Sequence, residues 1–78
     1  MTAQMAIGKA VIKVPNTTNP IIDHELHAWE LTSVVVQTVN PDGTRTPATP
    51  AYTVLDRDRI QLTLATNGGA TRWAVVSA

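Results

Sequence analysis

Short β-branched stretches, cut apart by proline and glycine, set the limits on this fold. The plainest is Val34-Val35-Val36-Gln37-Thr38-Val39, and Ile60-Gln61-Leu62-Thr63-Leu64 alternates apolar with polar residues without a break. Period-two alternation marks half-buried strands, because successive side chains in a strand point to opposite faces. Three consecutive valines imply cover on both faces where that strand starts, inside a sandwich or against a neighbouring subunit. Ala10–Val14, Tyr52–Leu55 and Thr71–Val76 are further candidate strands, and Ile21-Ile22 is a shorter apolar piece. Pro15–Pro20 is a loop by composition, Asn40-Pro41-Asp42-Gly43 is a tight turn, Asp56–Arg59 is a charged turn, and Asn67-Gly68-Gly69 is a third turn. Thr44–Thr53 is interrupted by Pro47 and Pro50, which confines it to a sheet edge or a loose connection.

Strands at this spacing predict an all-β fold, a small antiparallel β-sandwich or partly open barrel of about six to seven short strands. Residues 10–78 make up that single domain. Residues 1–9 are apolar enough to dock but too short to fold alone. They are expected to form an extended N-terminal arm that reaches a neighbouring subunit, with Met5 and Ile7 as its contact residues.

Size sharpens this expectation of partners. A chain of 78 residues buries only about 60% of the surface its unfolded form exposes. Small domains offset that deficit with disulfides, a metal or another subunit. Cysteine is absent, which excludes disulfides and thiolate zinc sites. Phenylalanine is absent too, and two Trp and one Tyr are the only large aromatics. Part of the hydrophobic burial is therefore expected to come from other chains.

Six Lys and Arg balance six Asp and Glu, and the basic residues are scattered. That is not the footprint of a nucleic-acid binder. No apolar run approaches the ~18 residues of a membrane span. The start lacks a basic segment followed by an apolar one, so no signal peptide is expected and synthesis in a cytoplasm is the default.

Most of the residues capable of chemistry lie in Asp23-His24-Glu25-Leu26-His27-Ala28-Trp29-Glu30. His24 and His27 with nearby carboxylates have the residue types of a zinc site. The spacing His-x-x-His places both rings on one face only in a helix; in a strand they point apart. A helical turn or two over Asp23–Leu31 suits its Glu, Leu, Ala and Trp, but no helical apolar stripe continues beyond it. The favoured reading is a turn entering a strand, with no metal and no cofactor. Ser33 and Ser77 are the only serines and neither sits in a nucleophile-elbow context. A domain this small has little room for a deep, water-excluding pocket. No enzyme is expected.

The order of elements from about residue 20 onward resembles a small β-sandwich module that recurs in virion proteins of tailed phages, in tail fibres and in capsid-associated pieces. In that module a phrase close to His-Asn-Leu-Gly-Thr-Trp-Asp precedes a Val-rich strand. Here it reads His24-Glu25-Leu26-His27-Ala28-Trp29-Glu30, followed by Val34–Val39, Ile60–Leu64 and Arg72–Val76. The resemblance implies that His24, Leu26 and Glu30 build a structural corner, with His24 bonding backbone there. Glu25 stands where the family has Asn, and His27 where it has Gly. Loss of that glycine implies a different turn.

The resemblance also implies a function. A free-standing copy of the module looks like a capsid decoration (cement) protein on the virion surface, expected as a homotrimer bound to the major capsid protein. The alternative is a tail-fibre or baseplate-associated module that contacts the host surface. Trp29, Arg72, Trp73 and Val75 join Met5 and Ile7 as interface candidates, because Trp and Arg are favoured at interfaces. The last strand carries apolar groups on both faces, Trp73 and Val75 on one, Ala74 and Val76 with Arg72 on the other. Such a strand suits cover by a partner.

Overall fold

The computed structural model describes residues 4–6, 8–66 and 69–78. They form eight strands and no helix: β1 (Gln4–Ala6), β2 (Lys9–Lys13), β3 (Ile21–Asp23), β4 (Ser33–Val39), β5 (Arg45–Ala48), β6 (Tyr52–Val54), β7 (Arg59–Leu62) and β8 (Arg72–Ser77). Five pair in the order β1-β2-β8-β4-β5 and three in the order β3-β7-β6, every pairing antiparallel. The all-β fold expected is the one formed, and its two sheets, not closed into a barrel, are compatible with a small β-sandwich. The strand count exceeds the expected six to seven because the N-terminal segment contributes β1.

That segment is the first difference from the sequence reading. Gln4–Ala6, assigned there to an arm, turn back at Gly8 and pair with β2, Gln4 opposite Val11 and Ala6 opposite Lys9. Gly8 has φ +71°, a conformation that glycine adopts without a steric penalty. Lys9 belongs to β2 rather than to the arm. Ile7 and residues 1–3 lie outside the described residues, as does the side chain of Met5.

Alternation fills the core. Ala10, Ile12 and Val14 on the β2 segment, Val34 and Val36 on β4, and Ala74 and Val76 on β8 face Ile22, Ile60 and Leu62 of the smaller sheet, and all are buried. Leu64 lies past the end of β7 and packs against this cluster from its rim. Burying such side chains contributes roughly 1.5–3 kcal/mol each. The cluster holds no aromatic ring, in keeping with the composition.

Pro47 sits inside β5, at the edge of the larger sheet, where the sequence placed it. The reason it fits is visible in the ladder. Val39 donates its N–H to Thr71, on the β8 side, so its partner Arg45 and, two residues on, Pro47 direct their backbone nitrogens out of the sheet. No ladder bond is lost. The β4–β5 turn closes through Gly43 N–H to Asn40 C=O (2.9 Å), with Gly43 at φ +87°.

Candidate functional site

Residues 24–30 leave β3 as irregular chain, and the turn between β6 and β7 holds them in place. Asp56 organises that turn. Its Oδ1 accepts the Asp58 N–H at 2.8 Å, and its Oδ2 receives Arg59 Nε at 2.8 Å and Nη2 at 2.7 Å. The Arg59 hydrogen bond, followed by the Asp58 N–H, holds the Asp56 carboxyl below the usual carboxylate range. The turn then presents acceptors to the neighbouring segment. The Asp58 carbonyl accepts N–H groups from His24 (2.8 Å) and Glu25 (3.3 Å), and the Arg57 carbonyl accepts that of Ala28 (2.8 Å). Asp58 Oδ1 accepts the His27 N–H at 3.1 Å and lies 2.8 Å from His27 Nδ1. A segment with no ladder of its own has four of its N–H donors, those of His24, Glu25, His27 and Ala28, met by one charged turn.

His24 is the buried centre of the corner. Its ring is fully enclosed, and Nδ1 accepts the N–H of Leu26 at 3.1 Å. His24 thus bonds backbone within the corner. An accepting Nδ1 carries no proton, so the neutral ring has its hydrogen on Nε2. Nε2 itself is buried with no hydrogen-bond partner among the described residues. Burial lowers the pKa of His24, against the opposing pull of Asp58, Asp23 and Asp56. The histidine is held neutral.

Leu26 is half-buried against the core, whereas Glu30 is exposed and makes no hydrogen bond among the described residues. The two positions that depart from the family phrase share one backbone conformation. Glu25 has φ +55° and His27 φ +54°, so both stand in the left-handed region that favours Asn and Gly. At His27 the bond to Asp58 offsets part of that cost. At Glu25 no side-chain hydrogen bond or ion pair among the described residues does.

The two histidines therefore point apart, one into the core and one to solvent. No group of three or more His, Asp or Glu side chains among the described residues is arranged to hold a metal ion. Asp23, Glu25, His27, Asp56, Asp58 and Arg59 line an open cleft of about 260 Å³. Its chemistry is that of a polar, carboxylate-rich surface able to receive a cationic group. The part played by Asp58 was not read from the sequence. The only signal was an acidic turn of a length that closes a hairpin, and nothing in it names the segment it binds.

The interface candidates fall into three groups. Trp29 is 63% exposed, beside the corner. Trp73 and Val75 are half-buried on the outward face of the larger sheet, away from the core. Arg72 requires a correction: it is only 4% exposed, faces the interior, and donates from Nη1 to the Ala65 carbonyl at 2.9 Å. The alternation that places it with Ala74 and Val76 holds, but that face is the core, so Arg72 is not presented to a partner.

Comparison with family models, with curated proteins and with solved structures finds no match. The likeness to phage virion modules thus rests on the residues quoted above, and the corner and the two-sheet frame are what the chain itself supplies.

Proposed function

We propose that this chain is a structural protein of a tailed-phage virion, a decoration protein that binds the outer capsid surface and stabilises the shell. The observation that carries this reading is the uncovered outward face of the larger sheet. Val11 on β2, Val75 on β8 and Val35 on β4 lie in one cross-strand row, with Trp73 in the next. All four are half-buried, and no other layer of strands among the described residues covers them. A sandwich with an apolar second face is built to be covered. Its partners on this reading are the major capsid protein and further copies of itself as a homotrimer. The contacts act mechanically, through many small apolar and polar contacts spread over adjoining shell subunits.

A second reading, a tail-fibre or baseplate-associated module touching the host surface, draws on exposed Trp29 beside a carboxylate-lined cleft. Copy number separates the two. Quantitative mass spectrometry of purified virions should find this chain at a ratio to the major capsid protein of order one, or one trimer per few capsid subunits. A ratio of order one per hundred moves the chain to the tail. Absence from particles overturns both.

A further inference from the structure

Charge in this molecule is sorted by surface. Asp23, Glu25, Glu30, Asp56 and Asp58, five of the six carboxylates, lie in the corner and the turn that anchors it, where only Arg57 and Arg59 oppose them. The sixth, Asp42, is at the tip of the β4–β5 turn, bound to Thr44. Lys9, Lys13 and Arg45 stand on the outward face of the larger sheet. Lys13 is in register with Trp73, and Arg45 donates to Gln37 in the same row at 3.1 Å. Asp56–Arg59 and Asp58–His27 are the ion pairs among the described residues. Asp23, Glu25 and Glu30 on one surface, and the three cations on the other, have no ionic partner there.

Both surfaces also carry apolar groups, exposed on the first and half-buried on the second. Trp29, Ile21 and Leu55 accompany the carboxylates, and the valine row with Trp73 accompanies the cations. We propose that the acidic corner of one copy docks on the basic outward face of the next, head to tail. The corner carboxylates then meet Lys9, Lys13 and Arg45 while Trp29 is covered by the valine row. The symmetric alternatives are disfavoured, because face against face sets cations opposite cations and corner against corner sets carboxylates opposite carboxylates. Two different patches make the contact heterologous, so it propagates until a ring closes.

The sheet face measures on the order of 20 Å by 20 Å from strand spacing and rise. That is at the low end of specific interfaces, so the contact is reversible and salt-sensitive. This inference rests on the reading of the chain as an assembling module and names the surfaces that assemble. It is tested on the isolated protein, apart from any particle.

Sedimentation velocity of the purified chain should give a mass above the 8.4 kDa of one copy. That mass should rise with concentration at ~0.02 M salt and fall toward the monomer at ~0.5 M. Lys9→Glu with Lys13→Glu should abolish association, as should Asp23→Lys with Glu30→Lys, all four positions being exposed. An equimolar mixture of the two variants should regain it, because each keeps one native surface and the reversed pair is again complementary.

A wild-type chain monomeric at every concentration overturns the proposal. So does association indifferent to salt, or a mixture that stays monomeric while both variants keep the wild-type circular dichroism spectrum. Should either double variant unfold, the neutral versions Lys13→Gln and Asp23→Asn replace it. Each should weaken association severalfold, and wild-type association in both would overturn the contact. A monomer abundant on virions would remove this contact and leave the decoration reading intact.

Discussion

His24 and Arg72 are buried at opposite ends of the sandwich, and each leaves one nitrogen without a partner among the described residues. They differ in what burial can do to them. An imidazole sheds its proton near neutrality, so the corner encloses a neutral ring and uses Nδ1 to organise the chain around it. A guanidinium cannot be neutralised. Arg72 therefore stays charged against one carbonyl, that of Ala65. One site has adapted its charge to the interior; the other holds a charge there for which the described residues provide no counter-ion.

The largest expected effect comes from emptying the adapted site. His24→Ala leaves a cavity and the Leu26 N–H without its acceptor, and should lower stability by about 2–4 kcal/mol in urea denaturation. A loss under 1 kcal/mol would mean that the corner does not depend on the ring. Protonating the same ring is the milder perturbation. Its folded pKa lies below the ordinary 6.5, so the unfolded chain takes up a proton first. Stability is complete above pH 6.5 and falls as pH drops through that value toward the folded pKa. The slope for one proton is at most ~1.4 kcal/mol per pH unit. Asp42 and Asp56, whose carboxyls are held below the usual range by hydrogen bonds, add a loss of their own only as pH falls through 3.8. Urea midpoints at several pH values should show the slope in the wild type and lose it in His24→Ala.

At the other end the sign reverses. Arg72→Met keeps the apolar stem and removes a poorly compensated charge, and should raise stability by roughly 1 kcal/mol. A clear loss would show that the guanidinium has a partner beyond Ala65. The smallest effect belongs to the corner's backbone. Glu25→Gly relieves a left-handed φ with no side-chain hydrogen bond or ion pair to lose among the described residues, for a gain of about 0.5–1 kcal/mol. His27→Gly should gain less, because it also loses the link to Asp58. Equal gains in thermal melts would make that link worthless.

Much of this frame was legible. Alternation located β4, β7 and β8, the two prolines located an edge, and Asn40–Gly43 located a turn, because each depends on the residue's own conformational limits. What was hidden depends on partners distant in sequence. Nothing local to Arg72 says that its face is the inner one, since a strand with apolar residues on both sides offers two choices. That choice is fixed only when β8 inserts between β2 and β4. The corner was half-legible for the same reason. His24 as a backbone-binding residue could be inferred from the phrase, but Asp58, thirty-odd residues on, could not.

Pro47 has one more effect, on what the protein avoids. The Val34–Val39 run is β-branched and uncharged, the composition that stacks into amyloid when its edges are open. Here β8 flanks it on one side and β5 on the other. A stray strand adding to β5 would meet a missing donor at Pro47, leaving one of its own carbonyls unmatched at a cost of about 1–3 kcal/mol. Growth along that hydrogen-bonding direction is checked at the β5 edge.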